Sequence, residues 1–242
     1  MNIEVMKMRI LICDDDPLIT ENLSKLLIDY FKKNNLKNLE IETFYSGESL
    51  LSDTGDKDIV FLDIEMPGLN GIYVGKELKK QNESVIIFIV TSYIEYLDDA
   101  MRFHVFRYLS KPIDKQRLYR NMKDAISLYT SFTKKLPIET KNGVHSVYSI
   151  ELISIEAIGR KIIVHTTAAD YESIHSMKYW IDMLPSQTFF QSHRSFIVNM
   201  FHITSFDHEL IYLYNNQLTA YLTRRKYSSF KDTYLLYLES TR

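Results

Sequence analysis

At 242 residues the chain suits two modest domains, and its 45% apolar and 25% charged residues are those of an ordinary soluble protein able to bury real cores. No apolar stretch approaches the roughly 20 residues of a membrane span, and the first residues, MNIEVMKMRI, lack the apolar core and cleavage site of a signal peptide. A single cysteine, Cys13, excludes an internal disulfide framework, suits a reducing cytoplasm and reads as core within the run ILIC. The net charge of -2 conceals a split. Residues 1–127 hold 21 acids against 17 Lys and Arg, whereas residues 128–242 hold 10 acids against 12, with six of the seven histidines.

In the first half, short apolar runs alternate with helical periodicity. MRILIC (8–13), LEIETF (39–44), DIVFL (58–62), SVIIFIV (84–90) and VFRYL (105–109) read as strands, being short, β-branched or aromatic, and bounded by polar turns. Between them Leu23, Leu26, Leu27, Tyr30 and Phe31 recur at helix spacing, as do Ile72 and Leu78 in the third connection and Leu97 and Met101 in the fourth. A helix is predicted from about 115 to 131. Strands alternating with helices imply a parallel sheet covered on both faces, a flavodoxin-like doubly wound α/β domain.

The segment KKLPIETKNG (134–143), with its Pro and Asn-Gly, marks a boundary near 130–138. The expected division is a first domain over 8–130, a linker over 131–137 and a second domain over 138–242. Beyond the boundary come many short strand-like pieces and hairpin signals at Asn142-Gly143 and Asn215-Asn216. Helices are predicted over 178–184 and 226–239. The second domain reads as mainly antiparallel β.

Ligands of an open α/β sheet bind beyond the carboxyl ends of its strands. Here strand one ends in Asp14-Asp15-Asp16, strand three in Asp63, strand four in Thr91-Ser92 and strand five in Lys111-Pro112. Asp16 before Pro17 reads as a helix N-cap. The other acids would repel one another unless a cation sat among them, and a few carboxylates with room for water and phosphate oxygens suit Mg²⁺. Phosphoryl transfer onto Asp63 would use the whole set. A carboxylate is already ionised at neutral pH and needs no general base, Mg²⁺ and Lys111 would neutralise the phosphoryl oxygens, and Thr91 could bond the new group.

Residues 8 to about 128 resemble the receiver domain of two-component response regulators, carried by CDDDP, FLDIEMPGLNG, VTS and YLSKP. The resemblance implies an acid pocket of Asp14 and Asp15, a phosphoacceptor at Asp63 and a metal shell of Asp15, Asp63 and the Glu65 backbone carbonyl. It also implies switch residues Thr91 and Tyr108, a phosphate-neutralising Lys111, and a cis Lys111-Pro112 bond. A haloacid-dehalogenase-type phosphatase, the rival user of an Asp nucleophile, needs a second Asp where Glu65 stands. The expectation is therefore a regulator and not an enzyme.

In the second half, basic residues cluster at three loops: Arg160-Lys161, His193-Arg194 and Arg224-Arg225-Lys226. Each alone could be a solvated loop; together they could line a nucleic-acid face. Residues from about 136 to 242 resemble the LytTR domain of the LytR/AlgR regulators, carried by FFQSHRSFIVN and LTRRKY. That resemblance implies base contacts at Arg160, Arg194 and Arg224, and phosphate contacts at Lys161, His193, Arg225 and Lys226. Gln191 departs from the Arg usual in the family. The implied partners are a sensor histidine kinase and double-stranded promoter DNA read as direct repeats. The implied assembly is a homodimer formed on phosphorylation through the face around the fourth and fifth helices. A β domain that binds a protein or RNA is the alternative, and control of quorum sensing is suggested by analogy.

Overall fold

The structure, a computed structural model, describes residues 8–37, 39–92 and 105–241. The chain divides into two compact units, one ending at Tyr129 and the other running from Thr130 to Thr241. The predicted helix containing Leu97 and Met101 lies outside the described residues.

In the first unit the strands are β1 (Met8–Cys13), β2 (Leu39–Phe44), β3 (Ile59–Leu62), β4 (Ile86–Thr91) and β5 (Arg107–Ser110), all parallel in the order β2-β1-β3-β4-β5. Helices α1 (Pro17–Lys33), α2 (Gly47–Ser52), α3 (Gly71–Gln81) and α4 (Lys115–Thr133) supply the crossovers and flanks among the described residues. Successive strand residues point to opposite faces, so Ile10 and Ile12 enter one core and Leu11 and Cys13 the other. Both faces are covered, which is why β1, β3 and β4 are buried along their whole length and read as nearly continuous apolar runs, interrupted by Arg9 in β1 and ended by Thr91 in β4. The first core takes Leu23, Leu27, Tyr30 and Phe31 from α1 and Leu118, Met122 and Ala125 from α4; the second takes Leu50 from α2 and Val74 and Leu78 from α3. Burying one such Leu contributes about 1.5–3 kcal/mol.

The stretch expected as a linker over 131–137 is instead the end of α4 and the start of β6 (Lys135–Thr140). Apolar burial explains it: Leu136 is buried, and Phe132 packs edge-on against Phe201 with ring centres 5.2 Å apart.

In the second unit β6 forms a hairpin with β7 (Gly143–Tyr148). A five-stranded antiparallel sheet has the order β10-β9-β8-β12-β11, built from β8 (Leu152–Ile158), β9 (Lys161–Thr166), β10 (Asp170–Ser173), β11 (Phe189–His193) and β12 (Phe196–Asn199). A three-stranded meander comes next, made of β13 (Ile203–Phe206), β14 (Leu210–Leu213) and β15 (Leu218–Tyr221). Its β14–β15 connection holds Tyr214, Asn215 and Asn216 at positive φ, which the Asn-Asn signal anticipates. Helix α5 (Met177–Met183) buries Trp180, and α6 (Arg224–Thr241) buries Phe230 and Tyr237. Helix α6 begins two residues before the predicted start, so Arg224 and Arg225 occupy its first turn and not the preceding loop.

Candidate functional site

The carboxyl ends of β1, β3 and β5 converge. The Lys111 ammonium donates to Asp63 Oδ2 at 2.6 Å and lies 2.7 Å from Asp14 Oδ2. Carboxylate oxygens of Asp14, Asp15 and Asp63 all lie within 4.8 Å of one another. Asp14 and Asp63 are buried while Asp15 and Glu65 are exposed, so the cluster is closed toward the sheet and open on one side.

Backbone bonds fix Asp14, Asp16 and Asp63. The Asp63 amide donates to the Cys13 carbonyl at 2.9 Å, continuing the β1–β3 ladder to Asp63. Asp63 Oδ1 accepts from the Ile64 amide at 2.7 Å, and Asp14 Oδ1 from the Asp16 amide at 3.1 Å. Asp16 caps α1, accepting from the Leu18 amide at 2.8 Å ahead of Pro17. The β4 strand runs on to Thr91, which is fully buried and whose carbonyl accepts from the Lys111 amide at 3.0 Å. The Lys111-Pro112 bond is cis. Tyr108 is half-buried against the second core.

Burial raises the Asp14 carboxyl, opposed by its bonds from Lys111 and Asp16. Burial lowers the Lys111 ammonium, but bonds to Asp14 and Asp63 outweigh it and the net shift is upward. Three carboxylates face one ammonium, and the remaining oxygens are hard donors on an open side. That donor set fits a small divalent cation.

Sequence reasoning missed what holds the turn after Asp63. Gly71 begins α3 and donates its amide to the Ile64 carbonyl at 2.9 Å; a Cβ there would sit 2.0 Å from the Asp63 carbonyl oxygen. The second glycine of FLDIEMPGLNG is thus required by close backbone approach. Glu48, from α2, accepts from the Leu69 amide at 2.9 Å, and no local signal in the sequence marks it.

In the second unit, strand register gathers the three basic loops. The β11–β12 turn holds Arg194, and its Ser195 carbonyl accepts from the Ala157 amide at 2.9 Å, setting it beside the β8–β9 turn that carries Arg160. Gly159 takes the left-handed conformation that this turn needs, with φ +61°. The Thr223 amide donates to the Ser192 carbonyl at 3.2 Å and brings the start of α6 to the same edge.

Arg160, Lys161, Arg194, Arg224 and Arg225 are exposed. Lys161 pairs with Glu172 at 2.6 Å and Arg224 with Glu209 at 3.4 Å, exposed pairs that contribute little. His193 is half-buried, and its Nδ1 accepts from the Ser195 amide at 3.1 Å. Lys226 is half-buried and bonded to Gln191.

Residues 10–123 match the family model of the response regulator receiver domain, and residues 123–234 that of the LytTr DNA-binding domain. The fold and acidic cluster define the first unit as a response-regulator receiver. The two models together span residues 10–234, so the chain is a response-regulator receiver followed by a LytTR DNA-binding domain. The sensory transduction protein LytR of Staphylococcus saprophyticus is 26% identical, covering 93% of this chain and 98% of its own length. The transcriptional regulatory protein LytR of Staphylococcus aureus is 28% identical, covering 88% of this chain and 91% of its own. Among solved structures, the response regulator TrrA of Thermotoga maritima, in complex with Mg²⁺-BeF, is 33% identical over 48% of this chain and 97% of its own, with a TM-score of 0.43. Among the described residues no helix is long and apolar enough to cross a membrane.

Proposed function

We propose that this response regulator accepts a phosphoryl group on Asp63 from a sensor histidine kinase and uses its second unit to bind promoter DNA. The observation that carries the reading is the Lys111 ammonium held between Asp14 and Asp63 at the ends of three strands. Mg²⁺, held by Asp15, Asp63 and the Glu65 backbone carbonyl beside Asp14, would supply charge neutralisation on the phosphoryl oxygens. An Asp63 carboxylate oxygen attacks phosphorus as the phosphorus–nitrogen bond of a phosphohistidine breaks. The departing electron pair stays on the imidazole, which takes a proton from water. Lys111 bonds a phosphoryl oxygen, and the Thr91 hydroxyl donates to another, drawing the β4 end toward the product while Tyr108 moves inward. No turnover of a free substrate is involved, and the protein acts in the cytoplasm, where the kinase domain and promoter meet.

For the output, Arg160, Arg194 and Arg224 read base edges and Lys161, His193 and Arg225 contact phosphate. The second half carries net +2, too little for tight binding by charge alone. Specific affinity then depends on a few Arg contacts and on two protomers over direct repeats, which favours a dimer formed on phosphorylation through the face that includes α4. The test is incubation with Mg²⁺ and acetyl phosphate, read by intact mass, oligomeric state and enrichment from a randomised duplex pool. One phosphoryl group on wild type and none on a folded Asp63→Asn variant is expected; equal uptake by the variant would refute the site. Uptake without duplex enrichment would move the output to a protein or RNA partner.

A further inference from the structure

Lys226 lies within the basic segment LTRRKY, yet it is half-buried and its ammonium is bonded within the domain. It donates to the Gln191 carbonyl at 2.5 Å and to Gln191 Oε1 at 3.2 Å, and it sits 5.9 Å from the centre of the Phe190 ring. An ammonium has three donors, and two are occupied within the domain. Burial lowers its pKa, as expected of a cation withdrawn from water.

The partner it bonds is unusual. Strand β11 pairs with β12 at Phe190–Val198 and again at His193–Phe196, so Gln191 and Ser192 lie opposite the single residue Ile197. That count defines a β-bulge, which breaks the ladder, bends the strand and re-aims the residues beyond it. Here those residues are His193 and the Arg194 turn. The Gln191 and Ser192 carbonyls at the bulge are bonded by the Lys226 ammonium and the Thr223 amide, both from the entrance to α6. One clamp therefore joins the bulge that aims Arg194 to the turn that presents Arg224 and Arg225.

We infer that Lys226 is a positioning residue that sets the Arg194 turn and the first turn of α6 in register for DNA, and is not itself a phosphate contact. The inference rests on the reading of the second unit as a duplex DNA-binding domain. A phosphate contact and a clamp differ in salt dependence, since each phosphate neutralised adds about one to the slope of log affinity against log salt.

The experiment uses the full chain, and a duplex enriched by the wild type from a randomised pool, beside a random duplex. Affinities are measured over a salt series for wild type, Lys226→Met and Gln191→Leu. Lys226→Met, which keeps an apolar stem over Phe190, is expected to lower target affinity about tenfold while leaving random-duplex affinity and both salt slopes unchanged. Gln191→Leu removes no cation and should shift the target-to-random ratio in the same direction by less. A slope reduced by about one on both duplexes with the ratio unchanged would make Lys226 a phosphate contact and overturn the inference. Should Lys226→Met fail to fold, Lys226→Gln, which removes the charge but keeps a polar end toward the Gln191 carbonyl, takes its place: a slope reduced by about one on both duplexes with the ratio unchanged overturns the inference. Failure of the wild type to enrich any duplex would remove the DNA-binding reading, and this inference with it.

Discussion

The acidic rim of the first unit and the basic edge of the second present their charges differently. Asp14, Asp63 and Lys111 are largely withdrawn from water and bonded to one another at the ends of buried strands. Arg160, Arg194, Arg224 and Arg225 stand exposed on turns and a helix start, and where they pair it is with exposed acids. A buried charge is part of the fold, because removing its partner leaves an uncompensated ion in a low dielectric. An exposed charge affects stability little and acts only when a ligand arrives. The first site is thus preassembled for small, highly charged chemistry, and the second is a set of reaching side chains on a stitched backbone edge.

The difference can be broken most directly at Lys111. Lys111→Met should cost about 3–5 kcal/mol of stability in chemical denaturation without added metal, because Asp14 and Asp63 then face each other unpaired. Addition of Mg²⁺ should recover part of that loss through linkage. A cost below about 1 kcal/mol would place Lys111 with the surface pairs. Arg194→Ala should do the reverse, leaving stability within about 0.5 kcal/mol of wild type while weakening target binding by about 1–3 kcal/mol. An unchanged ratio of target to random affinity would remove Arg194 from base reading.

The smallest effect concerns a buried titratable group in the second unit. Burial pushes His202 below its ordinary pKa of 6.5, against a raising hydrogen bond from Nε2 to the Ile150 carbonyl at 2.6 Å. With the folded value depressed, the neutral imidazole contributes stability that is full above 6.5 and is lost as pH falls through the folded value. The stability of wild type, read by denaturation, should therefore fall below pH 6.5 more steeply than that of His202→Gln. Parallel profiles would show that His202 does not set the acid limb.

Much of the first unit is legible because strand ends announce themselves: an apolar run that stops on Asp63 or Thr91 gives both element and site. The Asp16-Pro17 cap is likewise readable from adjacent residues, whereas the Lys111-Pro112 cis bond is expected from the family resemblance alone. The second unit is readable as short strands and hairpins, but not as a sheet order. The segment 131–137 misleads, since Pro137 suggests a loop while the burial of Leu136 is a tertiary fact. The Lys226 clamp escapes for the same reason. Nothing in the basic run LTRRKY signals that Lys226 bonds the distant Gln191.

By itself the sequence determined the alternation of elements, the parallel and antiparallel classes of the two units, and the residue types at the strand ends. Those arise from local periodicity and turn chemistry, which act over a few residues. Tertiary structure alone decided that Lys111 meets Asp14 and Asp63, that Gly71 must lack a side chain beside the Asp63 carbonyl, and which basic residues face outward. The Lys111 contacts join segments far apart in the chain, and the Gly71 approach and the outward faces likewise depend on how layers pack and in what register, which local periodicity does not set.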